Sequence, residues 1–475
     1  MSRYLVFFLA ILLLASRSYG IESISLPEMG DPSSAEVTPD EERRLGEGLM
    51  RWLRQNNLID TDPLTQSYIH SLGYQLVANS EETSQPYTFF VVKDSSINAF
   101  AAPGGFIGIH TGLILTSESE SELAGVMAHE IAHITQKHMT RTYDSAKKHQ
   151  LTTAVALLAA ILIGQNVEQL TEAAIATSVA ANAQLQINFT RAHEQEADYL
   201  GIKTLANAGF DPEGMPAFFE RMQKASKLYG TALPEFLSTH PVTVNRIAES
   251  RSRARNMAVK SVINSNLYPY IKARIKVQKA TDIQQFIREL KQTQSSITDP
   301  SVYAYTLAIA NLMAGQASSA EAAIMPLIKN EPESIIYRIA QAEIQHALGK
   351  DEMALENFKS MLSLYPYSNA ITVHYTQFLL AIEKNELAYS TLQDFRHNRD
   401  TDTLILKLLS QAASKTGKTA EAYLYLAEHD FLNGNTRDAI TLLNTASKLK
   451  GNDYYLSSQI DAKLQEYKKI ALLEK

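Results

Sequence analysis

The chain has 475 residues, enough for two or three domains, and 45% of them are hydrophobic. Its formal charge is −7, from 44 basic and 51 acidic residues, and that balance gives no support to nucleic-acid binding, which wants basic patches. There is no cysteine, which excludes a disulfide framework and a lipoprotein acylation site.

Residues 1–20 have the layout of a secretory signal. Arg3 gives a short basic start, Leu5 to Ala15 form an apolar run too short to span a bilayer, and Ser18-Tyr19-Gly20 puts small residues where a signal peptidase reads. An N-terminal membrane anchor is the competing reading. Export without cysteines fits a bacterial periplasm at least as well as an animal extracellular space.

Phe106 to His110 alternates in polarity after two glycines and predicts a strand. At a sheet edge, such a strand would accept an extended substrate through backbone hydrogen bonds; otherwise it is plain core. His110 lies near the site or at the surface and is not a ligand candidate.

A helix follows. Ser117 with Glu120 three residues later fits a capping box, and Leu123, Met127, Ile131 and Ile134 recur at helical spacing. Gly125, His129 and His133 share another stripe, with Gly125 leaving room for a neighbouring segment. His129-Glu130-Ile131-Ala132-His133 has the His-Glu-x-x-His pattern of zinc peptidases. Two imidazoles one turn apart can grip one metal ion, and Glu130 between them lies where a base would take a proton from water. The bland alternative is a chance match on a solvated helix.

Ala154 to Ile163 is a run of ten apolar residues, too short to cross a bilayer. It is either a core helix or a hairpin that covers the cleft or touches a membrane surface.

The stretch Arg191 to Gly201 is helical in character and sets Glu194 and Asp198 one turn apart on one face. A catalytic zinc takes three protein ligands and leaves one position open. Glu194 can be the third ligand, and Asp198 can hold a ligand histidine through its second ring nitrogen. His193 and Glu196 point elsewhere, toward solvent. His240-Pro241 is either the cap and first residue of a helix or part of the site. His240 and Arg246 are candidate oxyanion donors. A neutral His240 could also take the open coordination position and close the enzyme.

After about residue 270 the sequence becomes periodic. Gly315, Gly349, Glu383 and Gly417 fall 34 residues apart, and each is followed five residues later by alanine: Ala320, Ala354, Ala388 and Ala422. Pro332 and Pro366 keep the same period. This is the punctuation of a tetratricopeptide repeat, with Glu383 departing from the turn glycine. Gly434 and Ala439 recur after only 17 residues, so the register slips or a single helix is inserted. A stacked array offers a curved face for peptides or partner proteins, or it buttresses the peptidase. Of its aromatics, Tyr303, Tyr305, Tyr337, Tyr365, Tyr367 and Tyr375, most are expected to pack and a few to line a groove.

His129-Glu-x-x-His133 followed by Glu194-x-x-x-Asp198 resembles the metallopeptidase family of HtpX, the mitochondrial inner-membrane peptidases and the CAAX prenyl proteases. Asn98-Ala-Phe-Ala-Ala-Pro-Gly-Gly105 with Ile107 to Leu113 resembles that family's strand and turn beside the cleft, and His240-Pro241 with Arg246 resembles its late motif near the metal. The resemblance implies His129, His133 and Glu194 as ligands of one Zn2+ per subunit, Asp198 behind a histidine, and Glu130, His240 and Arg246 as catalytic groups. The implied fold is mainly α: a signal peptide (1–20), a zincin-type metallopeptidase domain with a small β-sheet (21–265), and a tetratricopeptide superhelix (270–475).

The whole combination resembles the periplasmic, repeat-bearing members of the family. Their likeness implies a zinc endopeptidase with a chaperone-like role in outer-membrane protein quality control. The implied partners are unfolded or stalled outer-membrane proteins (LptD-like) and the β-barrel assembly machinery, with no nucleic acid and an optional membrane contact through Ala154 to Ile163. The alternative is a chaperone or binding module whose proteolysis is latent.

Overall fold

The computed structural model describes residues 38–138, 155, 158–159, 162, 191–229, 235–257, 262, 265–294, 299–396 and 402–473. The expected signal segment lies outside the described residues, as does most of the apolar run 154–163. The described chain is mainly helical with one small sheet, as expected.

Helix α1 (Pro39–Gln55) starts at a complete capping box, in which the Thr38 side chain accepts from the Glu41 N–H and the Glu41 carboxylate accepts from the Thr38 N–H. Helix α2 (Pro63–Val77) starts at Asp62, with Pro63 in the first turn where its missing N–H costs nothing. Strands β1 (Thr88–Val92), β2 (Ala99–Ala102) and β3 (Phe106–His110) then form a sheet in the order β1-β3-β2. β3 runs parallel to β1, with Thr88 opposite Phe106, and antiparallel to β2, with Ala99 opposite Ile109. β3 is therefore the central strand, and the expectation that it lies at an edge is corrected. Its pairing depends on β1, a partner eighteen residues upstream, which local alternation does not reveal. β1 and β2 are the edges.

The period-two alternation of the strands sorts them onto two cores. Phe89, Val91, Ala101, Ile107 and Ile109 pack with α2 and with the helix that bears the metal motif, α4 below. Phe90, Val92, Phe100 and Phe106 pack with Leu49 and Leu53 of α1 and with Leu158, Ala159 and Leu162. The described residues of the apolar run, Val155, Leu158, Ala159 and Leu162, are thus buried in the protein. This supports the core reading of the run over a membrane-facing one. No helix among the described residues is long and apolar enough to cross a membrane.

Helices α3 (Thr111–Thr116), α4 (Glu120–Thr135), α5 (Arg191–Asn207), α6 (Gly214–Tyr229), α7 (Glu235–Thr239) and α8 (Val244–Arg255) complete this part. The cap of α4 is Ser119, whose hydroxyl accepts from the Glu122 N–H at 3.2 Å. Ser117, expected to cap it, instead ends α3 and donates to the Leu113 carbonyl at 2.9 Å. Ser117 to Glu122 offers the same Ser-x-x-Glu spacing twice, two residues apart. The fully buried Ser117 side chain is committed to α3, so Ser119 caps the helix.

Among the described residues twelve further helices follow: α9 (Tyr268–Gln278), α10 (Ile283–Gln292), α11 (Pro300–Met313), α12 (Ala317–Asn330), α13 (Ile335–Ala347), α14 (Asp351–Leu364), α15 (Asn369–Ala381), α16 (Asn385–Arg396), α17 (Thr403–Lys415), α18 (Thr419–Leu432), α19 (Thr436–Leu449) and α20 (Tyr454–Leu473). The 34-residue period marks the ends of α11, α13, α15 and α17. At each, a left-handed residue (Gly315, Gly349, Glu383, Gly417) lets the next N–H reach back to a carbonyl five residues upstream: Gln316 to Asn311, Lys350 to Gln345, Lys384 to Leu379 and Lys418 to Ala413. Gly434 and Gly451 are also left-handed and lie 17 residues apart. The array continues there helix by helix, with a glycine turn where earlier repeats carry proline. The paired alanines Ala320, Ala354, Ala388, Ala422 and Ala439 are all buried. Tyr305, Tyr337 and Tyr375 are packing residues, whereas Tyr365 and Tyr367 are exposed.

The array also packs on helices α1 and α2. Arg274 of α9 makes a buried ion pair with Asp62, 2.5 Å at the shortest, and donates to the Tyr305 hydroxyl. Farther along, the Arg51 guanidinium of α1 sits over the Phe431 ring of α18 at 4.8 Å, and Arg54 donates to the Leu432 carbonyl. Parts of α9, α15 and α18 are therefore covered by α1 and α2, which leaves less of the array open than stacking alone suggests.

Glu383 holds φ of 59° in a turn whose counterparts are glycines, with open space around a Cβ at Gly315, Gly349 and Gly417. The cost at Glu383 is thus one of backbone conformation. Glu383→Gly should stabilise the protein by about 1 kcal/mol, read as a higher denaturant midpoint. An unchanged or lower midpoint would show that the side chain contributes something the turn does not need.

Candidate metal centre

Two helices build the centre. On α4, His129 and His133 lie one turn apart and face α5, where Glu194 and Asp198 lie one turn apart and face back. All four side chains are buried, at 2% exposure or less. Small residues let the helices approach. A Cβ on Gly201 of α5 would stand 3.1 Å from the His129 nitrogen and 3.2 Å from its Cα, and one on Gly125 of α4 would stand 3.0 Å from Met215 Cβ at the start of α6. Gly125 does make room for a neighbouring segment, which is α6.

His240 comes from a third direction. It follows the short α7, and its N–H donates to the Phe236 carbonyl at 2.8 Å while its ring stacks on the Phe236 ring at 5.0 Å. The next helix, α8, is capped by Thr243 rather than by His240, so the reading of His240-Pro241 as cap and first helical residue is corrected. α7 is tied to the sheet by a bond from the Phe236 N–H to the Ile97 carbonyl, just before β2.

Four side chains converge. His129, His133, Glu194 and His240 each place a donor atom within 4.8 Å of the others. His129 Nε2 lies 3.0 Å from His133 Nε2, 3.3 Å from His240 Nδ1 and 3.5 Å from Glu194 Oε2. Glu194 Oε1 lies 3.3 Å from His133 Nε2 and 2.9 Å from His240 Nδ1. Ligands about 2.0–2.1 Å from a tetrahedral ion stand about 3.3–3.4 Å apart. The donor set and its spacing therefore fit one four-coordinate cation.

Around these four, His129 Nδ1 meets Asp198 Oδ1 at 3.0 Å. Arg246 grips Asp198 with two bonds of 2.8 Å, reaches Glu194 Oε2 at 2.7 Å and donates to the Pro241 carbonyl. Expected as an oxyanion donor, Arg246 instead commits its donors to the two carboxylates and the loop that carries His240. Glu130 is 1% exposed, with Oε1 3.5 Å from His240 Nε2.

The electrostatics follow from burial and these partners. Burial opposes the charge on His129, but its bonds to Asp198 and Glu194 prevail and lift its pKa to about 9. At His133 burial wins, and the pKa falls well below the ordinary value. Burial also works against the Glu194 and Asp198 carboxylates. His240 and the other imidazoles nevertheless hold Glu194 well below its usual range, and Arg246 and His129 hold Asp198 down. Glu130 has weaker support, and burial pushes its pKa up.

Sequence reasoning missed His138. Its Nδ1 lies 3.0 Å from His133 Nδ1, and its ring stacks on His193 at 4.3 Å. Its Nε2 lies 3.3 Å from Glu196 Oε2. His193 and Glu196, expected to be merely solvated, are thus engaged through it. The available signal was a third histidine five residues beyond His133. His110, by contrast, is buried against Ser96 and Phe100, and burial lowers its pKa to about 4.

Comparison with known proteins agrees with this geometry. Residues 63–254 match the model of peptidase family M48. A Vibrio cholerae relative is 34% identical over 450 residues, covering 94% of this chain and 92% of its own. The chain belongs to peptidase family M48. The beta-barrel assembly-enhancing protease of Escherichia coli K12 is 29% identical over 448 residues, again 94% of this chain and 92% of the relative. The mitochondrial metalloendopeptidase OMA1 of Schizosaccharomyces pombe is 32% identical over 183 residues, 38% of this chain and 51% of that one. This M48 chain is accordingly a metalloendopeptidase, and the buried His129, His133, Glu194 and His240 group is where its metal fits.

The close approach at Gly201 makes a prediction. Gly201→Ala should push α5 away from the His129 backbone by a few tenths of an ångström, with a loss in peptidase kcat/KM on the order of tenfold. Metal affinity should fall with it. Unchanged values of both would mean that the helix spacing does not set the centre.

Proposed function

We propose that the protein is a periplasmic zinc endopeptidase of outer-membrane protein quality control, closed at rest. The observation that carries the catalytic part is the convergence of donor atoms from His129, His133, Glu194 and His240 within 4.8 Å of one another. Two or three imidazoles and one carboxylate suit zinc, one per subunit.

When bound, zinc would polarise the scissile carbonyl and make a water more acidic. The chain's own residues would do the rest. Glu130, buried and with its pKa raised, takes the proton from the attacking water and returns one to the leaving amine. Asp198 orients His129 through Nδ1. Arg246 holds Asp198 and Glu194 in place, so its role is positioning rather than oxyanion binding. His240 occupies the place that water and substrate need, which favours the reading in which proteolysis is latent until His240 withdraws.

Names of the relatives support the biological setting. A beta-barrel assembly-enhancing protease that aligns over nearly its whole length makes outer-membrane β-barrel proteins the expected clients, stalled LptD-like chains among them. The leader read at residues 1–20 supports export to the periplasm of a Gram-negative bacterium. In this reading the repeat array (270–475) binds clients or the β-barrel assembly machinery and brings them to the peptidase part (21–265).

Two variants separate the roles. Glu130→Gln should keep its metal and lose cleavage of an unfolded protein by about 10²–10⁴-fold. His240→Ala should raise basal cleavage several-fold over the wild type, because it opens the fourth position. A Glu130→Gln enzyme with normal turnover would sink the proposed base. A His240→Ala enzyme less active than the wild type would make His240 a catalytic group and not a block.

A further inference from the structure

An imidazole that gives one nitrogen to a metal leaves the other to be fixed, and what fixes it sets the ring's plane, tautomer and basicity. His129 uses buried Asp198 for this. His133 has a different partner. Its Nδ1 lies 3.0 Å from Nδ1 of His138, which is 2% exposed. The chain arrives there by ending α4 in a left-handed residue: Lys137 has φ of 53°, and the His138 N–H donates to the His133 carbonyl at 3.1 Å. His138 therefore folds back over the last turn of α4 and lands beside His133.

Proton positions follow from the metal-facing nitrogen. His133 turns Nε2 toward Glu194 and His129, and a metal ligand must be unprotonated there. Its proton then sits on Nδ1 and is donated to Nδ1 of His138. His138 in turn carries its proton on Nε2, 3.3 Å from the Glu196 carboxylate, which accepts it. In this arrangement no two donors face each other. His193 lies flat against the His138 ring, 17° from parallel, and fixes its plane.

We infer that His138 is a positioning residue of the metal centre: it accepts the Nδ1 proton of His133 and locks that ring in its metal-binding tautomer, while Glu196 and His193 hold His138 itself. This rests on the metal reading above. It also makes the two histidines of the motif unequal. His129 is backed by a buried carboxylate that Arg246 neutralises, whereas His133 is backed by a neutral ring whose own carboxylate is half exposed.

Zinc affinity of the full-length protein, measured by competition with a chromophoric chelator, tests this without relying on activity. His138→Phe keeps a flat ring beside His193 but accepts no proton. His138→Asn places an amide oxygen close to where Nδ1 stood. Loss of the acceptor should weaken zinc binding about 10–100-fold in His138→Phe, and His138→Asn should stay within a few-fold of the wild type. Circular dichroism on both confirms that each is folded. His138→Phe binding as tightly as the wild type, or His138→Asn as weakly as His138→Phe, would overturn the inference. A wild-type protein with no zinc affinity would instead overturn the metal reading on which it stands.

Discussion

The structure depends on how a buried cluster of like charges is balanced. Glu130, Glu194 and Asp198 lie together at 2% exposure or less, and among the described residues the guanidinium that reaches them is that of Arg246. Glu194 and Asp198 are held ionised against that one guanidinium while Glu130, its pKa raised by burial, adds to the negative side, an arrangement that is very costly unless something cancels it. A divalent cation held by the three imidazoles and Glu194 would cancel it. Without the cation, the proton held by His129, with its pKa at about 9, is a partial substitute. Proton and metal thus compete for one nitrogen, as coupling between metal binding and ligand pKa requires.

Every element near the centre serves that balance. α4 and α5 must cross closely enough for His129 to meet both Glu194 and Asp198, and Gly201 permits it. α8 must deliver Arg246 to both carboxylates, and its Thr243 cap sets where the first turn begins. The loop between α7 and α8 is held by Arg246 through the Pro241 carbonyl. His240 and Arg246 are therefore mechanically joined: a movement that withdraws His240 also disturbs the grip on Asp198 and Glu194. The array reaches the same body through the buried Asp62–Arg274 pair and through Arg51 on Phe431.

Much of this was legible in the sequence, for a physical reason. A metal motif on a helix is a statement about spacing, and spacing survives in one dimension: His129, His133, Glu194 and Asp198 all stand where their four-residue intervals put them. The 34-residue turn positions were legible for the same reason, Glu383 included. What failed was whatever depends on contacts across the chain. β3 is central because β1 pairs with it. The cap of α4 is the second of two equivalent serines because α3 takes the first. The partners of Arg246 were out of reach for the same reason, because its two carboxylates lie on a helix about fifty residues upstream. His138 escaped notice because its ring reaches His133 only through a left-handed turn at Lys137, a lysine that no local rule marks as a helix end.

The proposed resting state is one tetrahedral zinc held by four protein side chains. Zinc-edge X-ray absorption on the purified full-length protein tests it directly. The predicted result is a four-coordinate ion at about 2.0–2.1 Å with three imidazoles and one carboxylate in its shell. A shell with two imidazoles and a water, or one of six oxygens at longer distances, would contradict it.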